Sequence, residues 1–224
     1  MDEWQFFQYQ VFPSLMKGFK VSIALILPSA FLGVCIGVWA GSMRVYGNLW
    51  LRKLVDAYVA IFRGTPLVVQ LFFWYFGLPH VGIYLSPFAA SVVGFSLCSG
   101  AYQSEYVRGA LLSIKKGQML AAQALGFSKW QMLKSVILPQ ALRRALPGCG
   151  NEIIYLIKYS SLAYMVTCIE MTGEAKILAS HYFKYTEVFL AVGAFYLVLV
   201  SLAGWFLHHL EGRLSIPGFE HHGK

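Results

Sequence analysis

The chain has 224 residues, 58% of them hydrophobic and only 12% charged, with a formal net charge of +8. A soluble domain carries about a quarter charged residues, so this composition excludes an ordinary water-facing globular surface. The positive excess is no nucleic-acid patch either, because the basic residues fall between long apolar blocks.

The start, Met1-Asp2-Glu3-Trp4, carries acid rather than base, unlike the first part of a cleavable signal peptide. Residues 4–19 are aromatic and amphipathic (Trp4, Phe6, Phe7, Tyr9, Phe12) and read as an interfacial anchor. The first apolar block covers residues 21–40, with Pro28 inside and Gly41-Ser42 at its end. The second covers 54–78 and is interrupted by Arg63-Gly64-Thr65-Pro66. The third, 87–112, becomes polar in its last third; the fourth is 147–169 and the fifth 188–207. About 20 residues at 1.5 Å each cross a hydrocarbon core of about 30 Å. The expected fold class is therefore all-α: a polytopic membrane protein of about five transmembrane helices, one domain over residues 1–224. Cys35, Cys98, Cys149 and Cys168 form no close pair and read as small buried side chains.

Lys and Arg set the expected orientation. Arg44, Arg52 and Lys53 lie in the first connection, and Lys115, Lys116, Lys129, Lys134, Arg143 and Arg144 in the third. Arg213 and Lys224 lie in the tail, while the opposite side holds Lys17, Lys20, Lys176 and Lys184. The positive-inside rule puts the first and third connections and the C-terminus in the cytoplasm, with the N-terminus outside.

The third connection, residues 113–141, reads as two short helices. Met119 to Leu125 are good helix formers and Gly126 is a left-handed terminator. Ser128 with Gln131 makes a capping box for a second helix, which Pro139 is expected to end. Ala121, Ala122 and Ala124 are small enough to let a partner surface approach. Composition alone leaves this a helical hairpin joining two spans.

Its spacing, however, resembles the EAA loop of ABC-importer permeases: Glu-Ala-Ala, three residues, Gly, nine residues, Ile, one residue, Leu-Pro. Ala121, Ala122, Gly126, Val136, Leu138 and Pro139 occupy the matching places, with Leu120 where the Glu would stand and Val136 for Ile. Phe62-Arg63-Gly64-Thr65-Pro66-Leu67-Val68-Val69-Gln70 is similar to the second-span signature of polar amino-acid uptake permeases. Ala101-Tyr102, Glu105 and Arg108-Gly109-Ala110 resemble their third-span end. Asn151-Glu152, Lys158 and Ser161-Leu162-Ala163-Tyr164 resemble the fourth span of the histidine and arginine branch. The resemblance implies a type I importer permease in the bacterial inner membrane. Its 113–141 loop would be a coupling helix, with Ala121, Ala122, Ala124, Gly126, Leu138 and Pro139 docking on a cytoplasmic ATPase. It implies two ATPase subunits, a second permease chain, identical or homologous, and an extracytoplasmic binding protein. ATP and Mg would bind the ATPase, so this chain would carry no cofactor. The cargo implied is a polar amino acid of the basic type (arginine, histidine, lysine).

Ionisable groups inside spans need partners or water. Pro66 cannot donate to the carbonyl of Phe62, so the second span should kink there. Arg63, Gly64 and Pro66 then form either a switching hinge or a static kink in which Arg63 satisfies local carbonyls. Glu105 and Arg108, three apart, share a helix face and read as an ion pair, with substrate contact by Glu105 as the other possibility. On the fourth span Asn151, Tyr155, Lys158 and Leu162 follow one stripe, and Glu152, Tyr155 and Tyr159 an adjoining one. Lys158, Ser160 and Ser161 could donate to a substrate carboxylate and Glu152 could attract a cationic side chain. Alternatively Lys158 pairs with an acid of this or a partner chain. Glu170 and Glu174 are expected to touch an external binding protein or a gate. The adjacent pairs His208-His209 and His221-His222 point in different directions on a helix and read as no metal site.

No Gly-x-x-x-x-Gly-Lys-Ser/Thr, HExxH or Gly-x-Ser-x-Gly occurs, so the chain reads as no enzyme. The rival function is a proton-coupled secondary amino-acid transporter relaying protons through Glu105, Glu152 or Lys158.

Overall fold

The computed structural model describes residues 2–214, all helical apart from short connections. His221, His222 and Lys224 lie outside the described residues. Eight helices follow in order: α1 (Glu3–Tyr46), α2 (Leu49–Gly64), α3 (Leu67–Val81), α4 (Pro87–Leu112), α5 (Lys116–Ala124), α6 (Lys129–Val166), α7 (Met171–Tyr182) and α8 (Tyr185–Leu214). By length and composition α1 and α8 can each cross a membrane. The pairs α2–α3 and α6–α7 add two more candidate spans, bent by 106° and 54°. Helix α4, with 26 residues, is long enough at roughly 39 Å but more polar than α1 and α8.

Its polarity follows from its place at the centre of the bundle. Gly33, Gly37 and Gly41 of α1 lie against Ser99, Gln103, Ser104 and Val107 of α4. A methyl group at Gly37 would strike the Gln103 side chain, so the two backbones approach through small residues. Without a hydrophobic drive between helices in lipid, such close contact is what holds them together. Ser99, Gln103 and Ser104 are buried in this contact, and Ser91 and Ser96 of the same helix are buried too.

Several local expectations hold. Ser128 and Gln131 form the capping box, with Ser128 N donating to Gln131 Oε1 at 2.9 Å. Gly126 sits at φ +79°, the left-handed conformation that ends α5. The structure adds two caps that the sequence reading did not name, Asn48 on α2 through Leu51 N and Ser86 on α4 through Ala89 N.

Three expectations are corrected. Residues 4–19 are no separate anchor but the first turns of α1, whose 44 residues form one helix. Phe6, Val11 and Leu15 pack against α7 and α8, which is why the helix continues outward. Pro139 does not end a helix: residues 133–137 form a π turn in which Leu138 N reaches Leu133 O, and that longer step absorbs the missing proline donor. Pro147 therefore lies inside α6 rather than at the start of a span. Finally, Pro66 breaks its span outright instead of kinking it. Thr65 and Pro66 are extended, with ψ of 144° and 136°.

Candidate functional site

The break at Pro66 leaves the last carbonyls of α2 without helical donors. As the missing proline donor requires, the carbonyl of Phe62 is free of its helix partner, and Gln70 Nε2 donates to it at 2.9 Å. The same nitrogen lies 3.1 Å from Thr65 O and 3.0 Å from Thr65 Oγ1. One buried amide thus patches the break. Gly64 has open space around it, so close packing does not require a glycine there.

Arg63 does not satisfy local carbonyls. Its Nη1 reaches Glu105 Oε1 of α4 at 2.8 Å, and its guanidinium lies over the Tyr102 ring at 5.2 Å. Arg108 also binds Glu105, through Nε at 3.0 Å and Nη2 at 2.9 Å, so the expected pair is present. The third partner is Arg44 of α1, whose Nη1 lies 2.9 Å from Glu105 Oε1 and whose Nε donates to Asp56 of α2 at 2.6 Å. Glu105 therefore joins α1, α2 and α4 through three arginines, and no oxygen of its carboxylate is left for a substrate in this conformation. Arg44 and Asp56 were not legible as members: they lie on two helices, and no periodicity links them.

On α6 the expected polar stripes separate by depth. Asn151, Tyr155 and Lys158 are exposed, while Glu152 is 2% exposed. Lys158 Nζ lies over the Tyr155 ring at 4.2 Å, and Tyr155 stacks on Tyr159 at 6.0 Å. Among the described residues no acid of this chain pairs with Lys158. Glu152 Oε1 is buried without a hydrogen-bond partner. Ser160 and Ser161 are already engaged: their hydroxyls donate to Ile157 O at 2.8 Å and Lys158 O at 2.6 Å. Their hydroxyl protons are thus held by backbone carbonyls in this conformation, and Ser160 is fully buried.

In the hairpin, α5 and the start of α6 present Leu120, Ala121, Ala124, Leu125, Gly126 and Trp130 outward. Ala122 faces inward, buried with Val107, Ile114, Met132 and Ile137, and Leu138 packs against the same cluster. Ala122 and Leu138 thus hold the hairpin to the bundle, whereas Pro139 is exposed. Arg144 Nη1 donates to Ser113 O at 2.7 Å, tying α6 to the end of α4.

Glu170 and Glu174 face inward, contrary to expectation. Glu170 is fully buried and caps α7, accepting from Thr172 N at 2.9 Å and Gly173 N at 3.0 Å. Tyr196 Oη and Ser22 Oγ donate to it from α8 and α1 at 3.1 and 3.4 Å. Glu174 pairs with Lys17 at 2.7 Å. An acid just before a helix start is a capping signal, and that signal was present in the sequence.

Comparison with known proteins gives this arrangement its context. Residues 33–216 match the family described as binding-protein-dependent transport system inner membrane component. The probable amino-acid ABC transporter permease protein YckA of Bacillus subtilis (strain 168) is 39% identical, covering 91% of this chain and 90% of that protein. The glutamine transport system permease protein GlnP of Escherichia coli (strain K12) is 38% identical, over 91% of this chain and 94% of that protein. A crystal structure of an amino acid ABC transporter with histidines superposes with TM-score 0.85 at 29% identity, covering 95% of this chain and 99% of that one. The rival reading as a secondary transporter falls with these matches, and ATP belongs to an ATPase partner. The chain belongs to the binding-protein-dependent transport system inner membrane component family, as a multi-pass permease subunit of an ABC amino-acid importer.

Proposed function

We propose that this chain forms a translocation pathway for polar amino acids of the basic type (arginine, histidine, lysine), along α6 and its neighbours. The observation that carries this reading is Glu152, a buried carboxyl inside a span with one oxygen unpartnered. Such a group is expensive in a membrane and is retained where it meets a cation or water. Separation of α6 from α4 would open it to a substrate side chain, with Tyr155 and Tyr159 stacking beside the path and Lys158 meeting the carboxylate. Exposed Asn151, Tyr155 and Lys158 would face lipid in a lone chain, at about 2.5–3.5 kcal/mol for the lysine alone. A second permease chain, identical or homologous, covers them.

The hairpin 113–141 serves as the coupling element, with Ala121, Ala124, Gly126 and Pro139 on the ATPase-facing surface. Two ATPase copies and an extracytoplasmic binding protein complete the importer, whose permease has its N-terminus outside and C-terminus in the cytoplasm. Arg63, Gly64 and Pro66 act as its hinge.

Proteoliposomes holding the whole importer test the pathway. Glu152→Gln should lower arginine uptake about tenfold while lowering glutamine uptake far less. An equal loss for both amino acids rejects the charge role. Ala121→Trp, at an exposed position, should abolish ATPase association without changing membrane insertion; normal association rejects the coupling assignment.

A further inference from the structure

Beside the Glu105 junction a cavity of about 400 Å³ opens among the ends of α1, α2 and α4, lined by Arg44, Val45, Arg52, Asp56, Arg108 and Leu112. Three guanidinium groups face one carboxylate there. Glu105, behind the cavity, takes Arg44, Arg63 and Arg108, and Asp56 takes Arg44, so with Arg52 two acids meet four arginines. Arg52 is the excess cation: its Nη2 donates to the carbonyl of Val45 at 3.1 Å, and among the described residues no carboxylate pairs with it. Arg52 stands in the first turn of α2, where the positive end of the helix dipole adds to the field.

Beyond the cavity, the rest of this end of α2 is apolar and aromatic. Leu49, Trp50 and Leu54, round the helix from Arg52, are 64%, 82% and 67% exposed, and exposed Lys53 stands between them. Tryptophan beside basic residues at a span's end is the composition of the membrane–water interface. A free anion would use the guanidinium groups alone; an amphiphile would use both halves of the surface.

We propose that this cavity binds the phosphate of an anionic phospholipid of the cytoplasmic leaflet. Arg52, with Arg44 and Arg108 behind it, holds the phosphodiester through charge-assisted hydrogen bonds suited to the planar guanidinium. The acyl chains run along Leu49, Trp50 and Leu54. The leaflet follows from the orientation argued above; the cavity's affinity does not depend on it. A bound headgroup adds a negative charge to the cluster that joins α1, α2 and α4.

Native mass spectrometry of the intact permease–ATPase complex in neutral detergent tests this, because micelles have no sidedness. The probes are phosphatidylglycerol, phosphatidylcholine and inorganic phosphate. The wild-type complex should retain phosphatidylglycerol at least about fivefold more tightly than phosphatidylcholine, and Arg52→Gln should remove about fivefold of that preference. The variant's unfolding temperature should match the wild type, since Arg52 bonds only a carbonyl. Equal retention of both lipids by the wild type, or an unchanged preference in Arg52→Gln, overturns the proposal. Displacement of the lipid by millimolar inorganic phosphate assigns the site to a free anion and overturns the lipid source.

Discussion

The two broken spans solve the same problem from opposite ends. At the α2–α3 break the groups left over are carbonyls, and they are met by donors: Gln70 Nε2 bonds Phe62 O and lies against both oxygens of Thr65. At the α6–α7 break the groups left over are backbone N–H, and they are met by an acceptor, the Glu170 carboxylate. A backbone group in a membrane has no water to turn to, so each break must carry its own complement of opposite sense. The difference lies in reach. Gln70 closes a circuit within its own helix pair, whereas Glu170 also takes hydrogen bonds from Ser22 of α1 and Tyr196 of α8. The first break is locally sealed, and the second is pinned to the bundle.

That contrast predicts a ranking of substitutions. Glu170→Ala should be the most damaging, because it leaves two N–H groups and the Ser22 hydroxyl without their acceptor in a fully buried place, and Tyr196 with Thr172 alone. The expected loss is about 3–5 kcal/mol, read as thermal unfolding of the purified chain in detergent. Glu170→Gln keeps one acceptor oxygen and should lose distinctly less. If the alanine variant melted like the wild type, the pinning role would be wrong.

Gln70→Leu comes next, at about 1–3 kcal/mol, since it strands carbonyls of one break only. Gln70→Glu, an acceptor where donors are needed, should be worse than leucine despite its similar shape; the reverse order would show that volume rather than hydrogen bonding matters there.

Pro66→Ala should have the smallest effect on stability, within about 1 kcal/mol. Spin labels on α2 and α3 should report an unchanged bend, because Leu71 is buried against Leu25, Phe95 and Leu156 and holds α3 in place. A lengthened distance would mean that the proline alone maintains the break and that tertiary packing does not.

Legibility followed the range of each interaction. The missing donor of Pro66 and its consequence for Phe62 O were readable in the sequence, as were the Ser128–Gln131 box and the left-handed Gly126, because each involves residues a few positions apart. Pro139 was misread by the same local logic: a π turn, made affordable by packing of Met132 and Ile137, carried the helix through it. The acidity of Glu170 suggests contact with a binding protein or a gate, whereas its position just before a helix makes it a buried cap.

Composition, periodicity and loop charge by themselves determined that this chain is a helical multi-span protein with a basic, hairpin-bearing face, and the hairpin's motif carried its resemblance to importer permeases. Those are properties of single helices and of stretches between them. Only the tertiary structure decided that Glu105 gathers Arg44, Arg63 and Arg108, that Ala122 turns inward while Ala121 and Ala124 turn out, and that Lys158 rests on Tyr155 with no acid of its own chain. Each of these depends on which helices lie side by side. That is set by close backbone contact along Gly33, Gly37 and Gly41 against α4; the four-residue spacing of these glycines marks a packing face in the sequence, but which helix lies against it is decided only by the tertiary structure.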